Sequence, residues 1–142
     1  MKTKETKNDQ KPLTCVDSKG FYKPFRYPWA FEAYLMQNRI HWIVDEVPLH
    51  DDVKDWNKKL TPSERNLLTQ LFRFFTAGDI DIGSAYMDTY QRIFKNEEIR
   101  MMLASFTGME AVHAHAYSTL LDTLGMPEVE YQAFKKYEEM AA

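Results

Sequence analysis

A single cysteine, Cys15, stands among the 142 residues, so no disulfide can form within the chain. Glycine and proline are sparse as well, five and six residues, and there is neither a glycine-rich phosphate loop nor an internal repeat. No uninterrupted apolar run approaches the roughly 20 residues that cross a bilayer as a helix, which argues against a membrane role. The formal net charge of −3 offers no cationic surface to a nucleic acid. The polar start Met1-Lys2-Thr3-Lys4-Glu5 lacks the apolar core of a secretory signal, and together with the lone thiol it leads to the expectation of a reducing cytoplasm. What is present, 44% hydrophobic and 27% charged residues with a 14% aromatic share, suits a packed helical domain.

Residues 1–24 are rich in Lys, Asp and Thr without sustained periodicity and are expected to form a flexible arm, leaving residues 25–142 to carry the fold. A first helix starts at Pro28 and runs to Asn38, with Trp29, Phe31, Tyr34 and Leu35 as bulky packing positions and Trp42 at its exit. Val44 to Lys59 reads as a polar connection. Thr61-Pro62-Ser63-Glu64 then combines an N-cap, a proline at N1 and a glutamate at N3, which predicts a helix from Pro62 to about Lys95. Asn96 caps the next helix, Glu97 and Glu98 favour its positive end, and Gly125 stops it after Leu124. Pro127 opens a last helical segment, 128–142, that halts at Met140-Ala141-Ala142 without a Gly or Pro terminator, as an interrupted reading frame or one piece of a split gene would. The expected class is all-α, with short connections making the long helices antiparallel neighbours.

Glu110, His113 and Tyr117 recur at spacings of three and four, so a carboxylate, an imidazole and a phenol share one helix face. A Glu-x-x-His pair supplies an oxygen and a nitrogen ligand suited to iron or manganese, and a tyrosine beside a redox-active metal is oxidisable. On the preceding helix Asp79 falls within the apolar stripe of Leu68, Phe72, Phe75, Ile82, Tyr86, Tyr90 and Ile93, whereas Asp81 and Asp88 face the other way. A carboxylate in that stripe needs a cation or strong donors, which a metal, an arginine or a helix end would each provide. Gly78 and Gly83 are expected where a metal site or a neighbouring helix approaches closely. His115 points away from Glu110, and His41 and His50 have no matched partner. Only one Glu-x-x-His exists among four histidines, half of the ligand set of a ferritin-like dinuclear centre.

From Tyr27 to Tyr137 the chain resembles the N-terminal part of the small, radical-generating subunit of class I ribonucleotide reductase. The ordered series Asp79, Glu110, His113 and Tyr117 carries the resemblance, with Trp42 followed by Asp45-Glu46-Val47 as a looser match. The resemblance implies an incomplete, ferritin-like helical bundle, the N-terminal half of that fold. It implies Asp79, Glu110 and His113 as metal ligands with Glu110 as the bridge, Tyr117 as the radical tyrosine and Trp42 as a station on the electron path. The implied cofactor is a di-iron centre, or its manganese or mixed counterpart. A further Glu and a second Glu-x-x-His would come from a complementary C-terminal segment or chain. Implied partners are the large catalytic subunit, whose cysteine the radical oxidises during reduction of ribonucleotides to deoxyribonucleotides, and a second small subunit in a homodimer. A metal-free structural or protein-binding helical domain, or another ferritin-like di-metal oxidase, are the alternative readings.

Overall fold

In the computed structural model, which describes residues 12–126, the expected capping box forms. The Thr61 hydroxyl accepts from the Glu64 N–H, and the Glu64 carboxylate accepts from the Thr61 N–H at 2.8 Å. Two donors that a helix start leaves unpaired are thereby satisfied, and helix α3 runs over Pro62–Ala85. The rod continues through a π-helical turn, Tyr86–Tyr90, and the short α4, Gln91–Ile93. The expected length to about Lys95 is thus nearly met, but the widened turn is a departure. A π turn is set by what the surrounding side chains pack against, and here Tyr86 meets Phe106 at 6.0 Å between ring centroids.

Asn96 caps α5 (Glu97–Thr123), its side-chain oxygen accepting from the Ile99 N–H. Gly125, at φ 73°, takes the left-handed conformation that ends the helix, and the N–H groups of Gly125 and Met126 bond back to Asp122 and Leu121. Helix α1 covers Pro28–Arg39, but Trp29, expected as a packing position, is more than half exposed. The adjacent Ala30 is buried instead, joining Ile99 and Leu103 in a core that Tyr86 and Phe94 flank. The polar connection after α1 is more structured than expected. It folds into two 3₁₀ turns, Val44–Glu46 and Leu49–Asp51, and helix α2 (Asp52–Lys58). These pieces are too short for helical periodicity to register in the sequence, and tertiary contacts such as Trp56 on Phe72, 6.3 Å apart, fix them.

Helices α3 and α5 pack antiparallel. Contacts step down α3 as they step up α5: Tyr86 on Phe106, Gly83 against Glu110, Phe75 and Phe72 on Tyr117. Residues 12–24, expected to belong to a flexible arm, are held against the start of α5. Ser18 and the N–H groups of Lys19 and Gly20 bond to Glu97, Asn96 donates to the Cys15 carbonyl, and Lys19 pairs with Glu98. That segment has no periodic pattern because its order comes from hydrogen bonds and one ion pair across the fold. The predicted segment 128–142 lies outside the described residues. Among the described residues there is no strand, and no helix is long and apolar enough to cross a membrane.

Candidate metal centre

Midway along the α3–α5 contact, one ligand atom each of Asp79, Glu110 and His113 lies within 4.8 Å of the others. Their convergence follows from helix geometry. Glu110 and His113 sit one turn apart on α5, with His113 Nδ1 3.4 Å from Glu110 Oε2. Asp79 faces them from α3, whose Gly83 lies close against α5: a Cβ there would stand in ordinary contact, 3.5 Å from the Glu110 Cβ. Gly78 has no such neighbour. The expected close approach therefore holds at one glycine and not at the other.

Asp79 is 8% exposed, and its Oδ2 has no hydrogen-bond partner. Burial pushes its carboxyl above the usual carboxylate range; the His113 imidazole pulls it back and the Glu110 carboxylate pushes it further up. An ionised carboxylate so placed is costly unless a cation meets it. Two carboxylates and an imidazole form a hard-to-borderline donor set that suits iron or manganese. Donors on opposite sides of one ion with bonds of about 2.1 Å are about 4.2 Å apart, so a small side-chain adjustment brings all three onto one ion. The residues fit a metal.

Tyr117, one turn beyond His113, lies flat on Phe75 with ring centroids 5.3 Å apart and planes 10° from parallel. Phe72 stands 6.4 Å away. Burial raises the Tyr117 phenol above its ordinary pKa, and the Asp79 charge raises it further, so the phenol is protonated and in electrostatic contact with the carboxylate. Trp42 reaches the site from the segment after α1, its ring 6.1 Å from the His113 ring and tilted by 34°. Trp42, Asp79, His113 and Tyr117 line one cavity of about 470 Å³, with Val44, Phe75 and Leu120 among its apolar walls. Four of the five residues singled out from the sequence thus line one cavity, and the fifth, Glu110, stands beside it with a ligand atom within 4.8 Å of those of Asp79 and His113. Asp81, Asp88, His41, His50 and His115 are exposed, as their placement on the helices and loops implied.

Two features escaped the sequence reading. Tyr86, counted there only as part of the stripe, senses the site: burial and then the Glu110 charge raise its phenol. Glu98, assigned to the helix dipole, is fully buried and pairs at 2.8 Å with Lys19, whose side chain is 4% exposed. An i, i+3 or i, i+4 pattern would have shown a local partner, but the cation comes from the far end of the chain.

The ribonucleotide reductase, small chain family profile matches residues 20–142. The chain is 47% identical, over 90% of its length, to a probable ribonucleoside-diphosphate reductase small subunit of Invertebrate iridescent virus 6, of which it covers 36%. It superposes on a ribonucleotide reductase R2 subunit from Clostridium botulinum with a TM-score of 0.71 and 27% identity, covering 82% of this chain and 37% of that one. A second structure, the dimanganese(II)-NrdF of Streptococcus sanguinis, shares the fold with a TM-score of 0.65 at 22% identity, over 80% of this chain and 41% of that one. The chain thus spans 36% to 41% of the length of these three relatives, and its helices form the N-terminal part of a ferritin-like bundle.

Proposed function

The chain belongs to the ribonucleotide reductase small-chain family, and from that premise we propose that it supplies half of a di-metal centre, together with the tyrosine and tryptophan that serve it. In this reading Asp79, Glu110 and His113 would hold the metal, Glu110 being the candidate bridging carboxylate. The remaining Glu and a second Glu-x-x-His come from a complementary C-terminal segment or chain. The complete small subunit is an oxidoreductase component that pairs with itself and with a large catalytic subunit, where ribonucleotides become deoxyribonucleotides.

The bound centre, di-iron, di-manganese or mixed, supplies the one-electron oxidising power; three donors do not choose among these metals. Tyr117 gives up the electron, and its phenolic proton must leave with it. Asp79 is the acceptor, since it is the carboxylate whose charge the phenol feels. Phe75 and Phe72 wall the phenol and limit water at the ring. Trp42, against the His113 ring, carries electrons between the site and the large subunit.

The convergence of Asp79, Glu110 and His113, with Asp79 buried and unpartnered, carries this reading. Its test is reconstitution with the complementary C-terminal segment of a small subunit and with a large subunit. Tyr117→Phe removes the oxidisable hydroxyl and keeps the packing volume. Metal content should persist while the tyrosyl electron-spin signal and ribonucleotide reduction disappear. An unchanged tyrosyl signal with full reduction in the variant would make Tyr117 a core residue only.

A further inference from the structure

We infer that Glu98 is a positioning residue for Trp42: from the first turn of α5 its carboxylate holds the start of α1, and α1, as a rigid rod, carries that placement to the indole that meets His113. The inference rests on the reading that Trp42 serves the site and adds the residue that fixes where it stands.

Helix α1 has no cap of its own. Tyr27 occupies the N-cap position without a side-chain hydrogen bond, and no acidic residue follows in the first turn. Glu98 supplies both from α5. Its Oε1 accepts from the N–H groups of Arg26 at 2.6 Å and Tyr27 at 2.9 Å, so the negative charge sits at the positive end of α1 as well as in the first turn of its own helix. Beside the other oxygen, Oε2, the Lys19 Nζ stands 2.8 Å away. That ammonium also donates to the carbonyls of Tyr22 at 3.0 Å and Pro24 at 2.9 Å, with the Phe21 and Phe25 ring centroids at 5.7 and 5.3 Å. The carboxylate is fully buried, so water does not compete for these partners.

The two helices start side by side and run parallel. Tyr27 meets Glu98 at one end, Ala30 packs with Ile99 and Leu103, and Trp42 meets His113 at the other end, fifteen residues on in each segment. Between the two end contacts the packing is loose. Ala30 is the one fully buried residue of α1; Phe31, Tyr34 and Leu35 are half-buried, and Trp29 and Met36 are more than half exposed. Phe31 itself rests on Phe25, 4.3 Å between centroids, and so on the segment that Lys19 closes. Apolar packing is non-directional and fixes axial register less firmly than a carboxylate with two aligned backbone donors. A change at Glu98 therefore travels along α1 to Trp42.

The three tryptophans are the reporters. Trp29 stands in the first turn of α1, Trp42 beyond its exit, and Trp56 on α2 against Phe72 of α3. In the full 142-residue chain labelled with fluorotryptophan, each gives one fluorine resonance, assigned by Trp29→Phe, Trp42→Phe and Trp56→Phe. Lys19→Met with Glu98→Met exchanges a buried ion pair for apolar side chains of similar size, which keeps the fold but leaves the Arg26 and Tyr27 N–H groups without their acceptor. The Trp29 and Trp42 resonances should shift while that of Trp56 stays and the helical circular dichroism is kept. Lys19→Met with Glu98→Gln retains an acceptor oxygen and should return both resonances to their parental positions. Glu98→Asp, which keeps the ion pair and shortens the reach by one methylene, should move Trp29 and Trp42 together and serves where the double methionine variant does not fold. In the complex reconstituted with the complementary C-terminal segment and a large subunit, the double methionine variant should keep its metal and lose about 10-fold or more in ribonucleotide reduction, and the Gln variant should recover it. A Trp42 resonance that stays while Trp29 moves would overturn the coupling along α1. An unmoved Trp29 would overturn the hold at its start, and movement of all three resonances alike would mean general loosening and overturn the positioning role. Parental turnover with Trp42 displaced would leave the positioning in place and remove the electron role of Trp42.

Discussion

The indole of Trp42 lies 6.1 Å from the imidazole of His113, although one follows α1 and the other sits near the centre of α5. Their contact links a proposed electron station to a proposed metal ligand without an intervening residue. Trp42 also walls the cavity that Asp79 and Tyr117 line, so the three chemical roles share one space.

That contact separates conduction from coordination. Trp42→Phe keeps an aromatic wall but removes the more readily oxidised ring, at a packing cost of about 1–2 kcal/mol. In the reconstituted complex metal content should be unchanged while ribonucleotide reduction falls by at least about 100-fold, a barrier increase of about 2.7 kcal/mol. Metal analysis beside a turnover assay checks it; full turnover in the variant sinks the electron-path role.

Glu98 makes a prediction about acid. Burial pushes its carboxyl up, but the Lys19 ammonium and the N–H groups of Tyr27 and Arg26 outweigh that and hold it at about 2, against an ordinary 4.5. The resulting stability, on the order of 3 kcal/mol, is complete above about pH 4.5 and is lost as pH falls toward 2. Lys19→Met leaves a buried carboxylate unpaired and should cost about 3–5 kcal/mol at pH 7. Adding Glu98→Gln should restore part of that loss, because the amide oxygen still accepts from the two backbone donors. Denaturant titrations of the single and double variants at pH 7 and pH 3 read the difference.

Asp79 has the opposite sign. Its carboxyl is raised by burial first, so the metal-free chain gains stability as pH falls through the folded-state value toward 3.8, and the ionised form is a cost at neutral pH. Asp79→Asn removes that cost. The metal-free variant should melt higher than the parent at pH 7, with the gap closing in acid, while Mn²⁺ affinity drops by more than about 100-fold. A variant that melts lower at pH 7 would show that the ionised carboxylate is already stabilised without metal.

Gly83 tests the helix approach. Alanine there meets the Glu110 Cβ at an ordinary 3.5 Å, and replacing a mid-helix glycine should add about 0.5–1 kcal/mol of stability. Leucine cannot fit against Glu110 and should lower Mn²⁺ affinity by about 10-fold or more through displacement of that ligand. Thermal melts and metal titration of the two variants separate space from propensity.

Local chemistry settled much of this protein in advance. Capping residues Thr61, Glu64 and Asn96, the Gly125 stop, and the 3.6-residue recurrence of Glu110, His113 and Tyr117 are short-range signals, each read within one or two helical turns. The apolar stripe likewise marked Asp79 as a carboxylate on a buried face. Other features depend on what packs against what. The π turn at Tyr86–Tyr90, the 3₁₀ turns before α2, the tilt of Trp42 onto His113 and the docking of residues 12–24 through Lys19 on Glu98 all join segments distant in the chain. A side chain's periodicity gives the direction it faces on its own helix. Whether a charge on that face finds a cation, a metal or water is decided by the element brought opposite, and only the tertiary structure supplies that element.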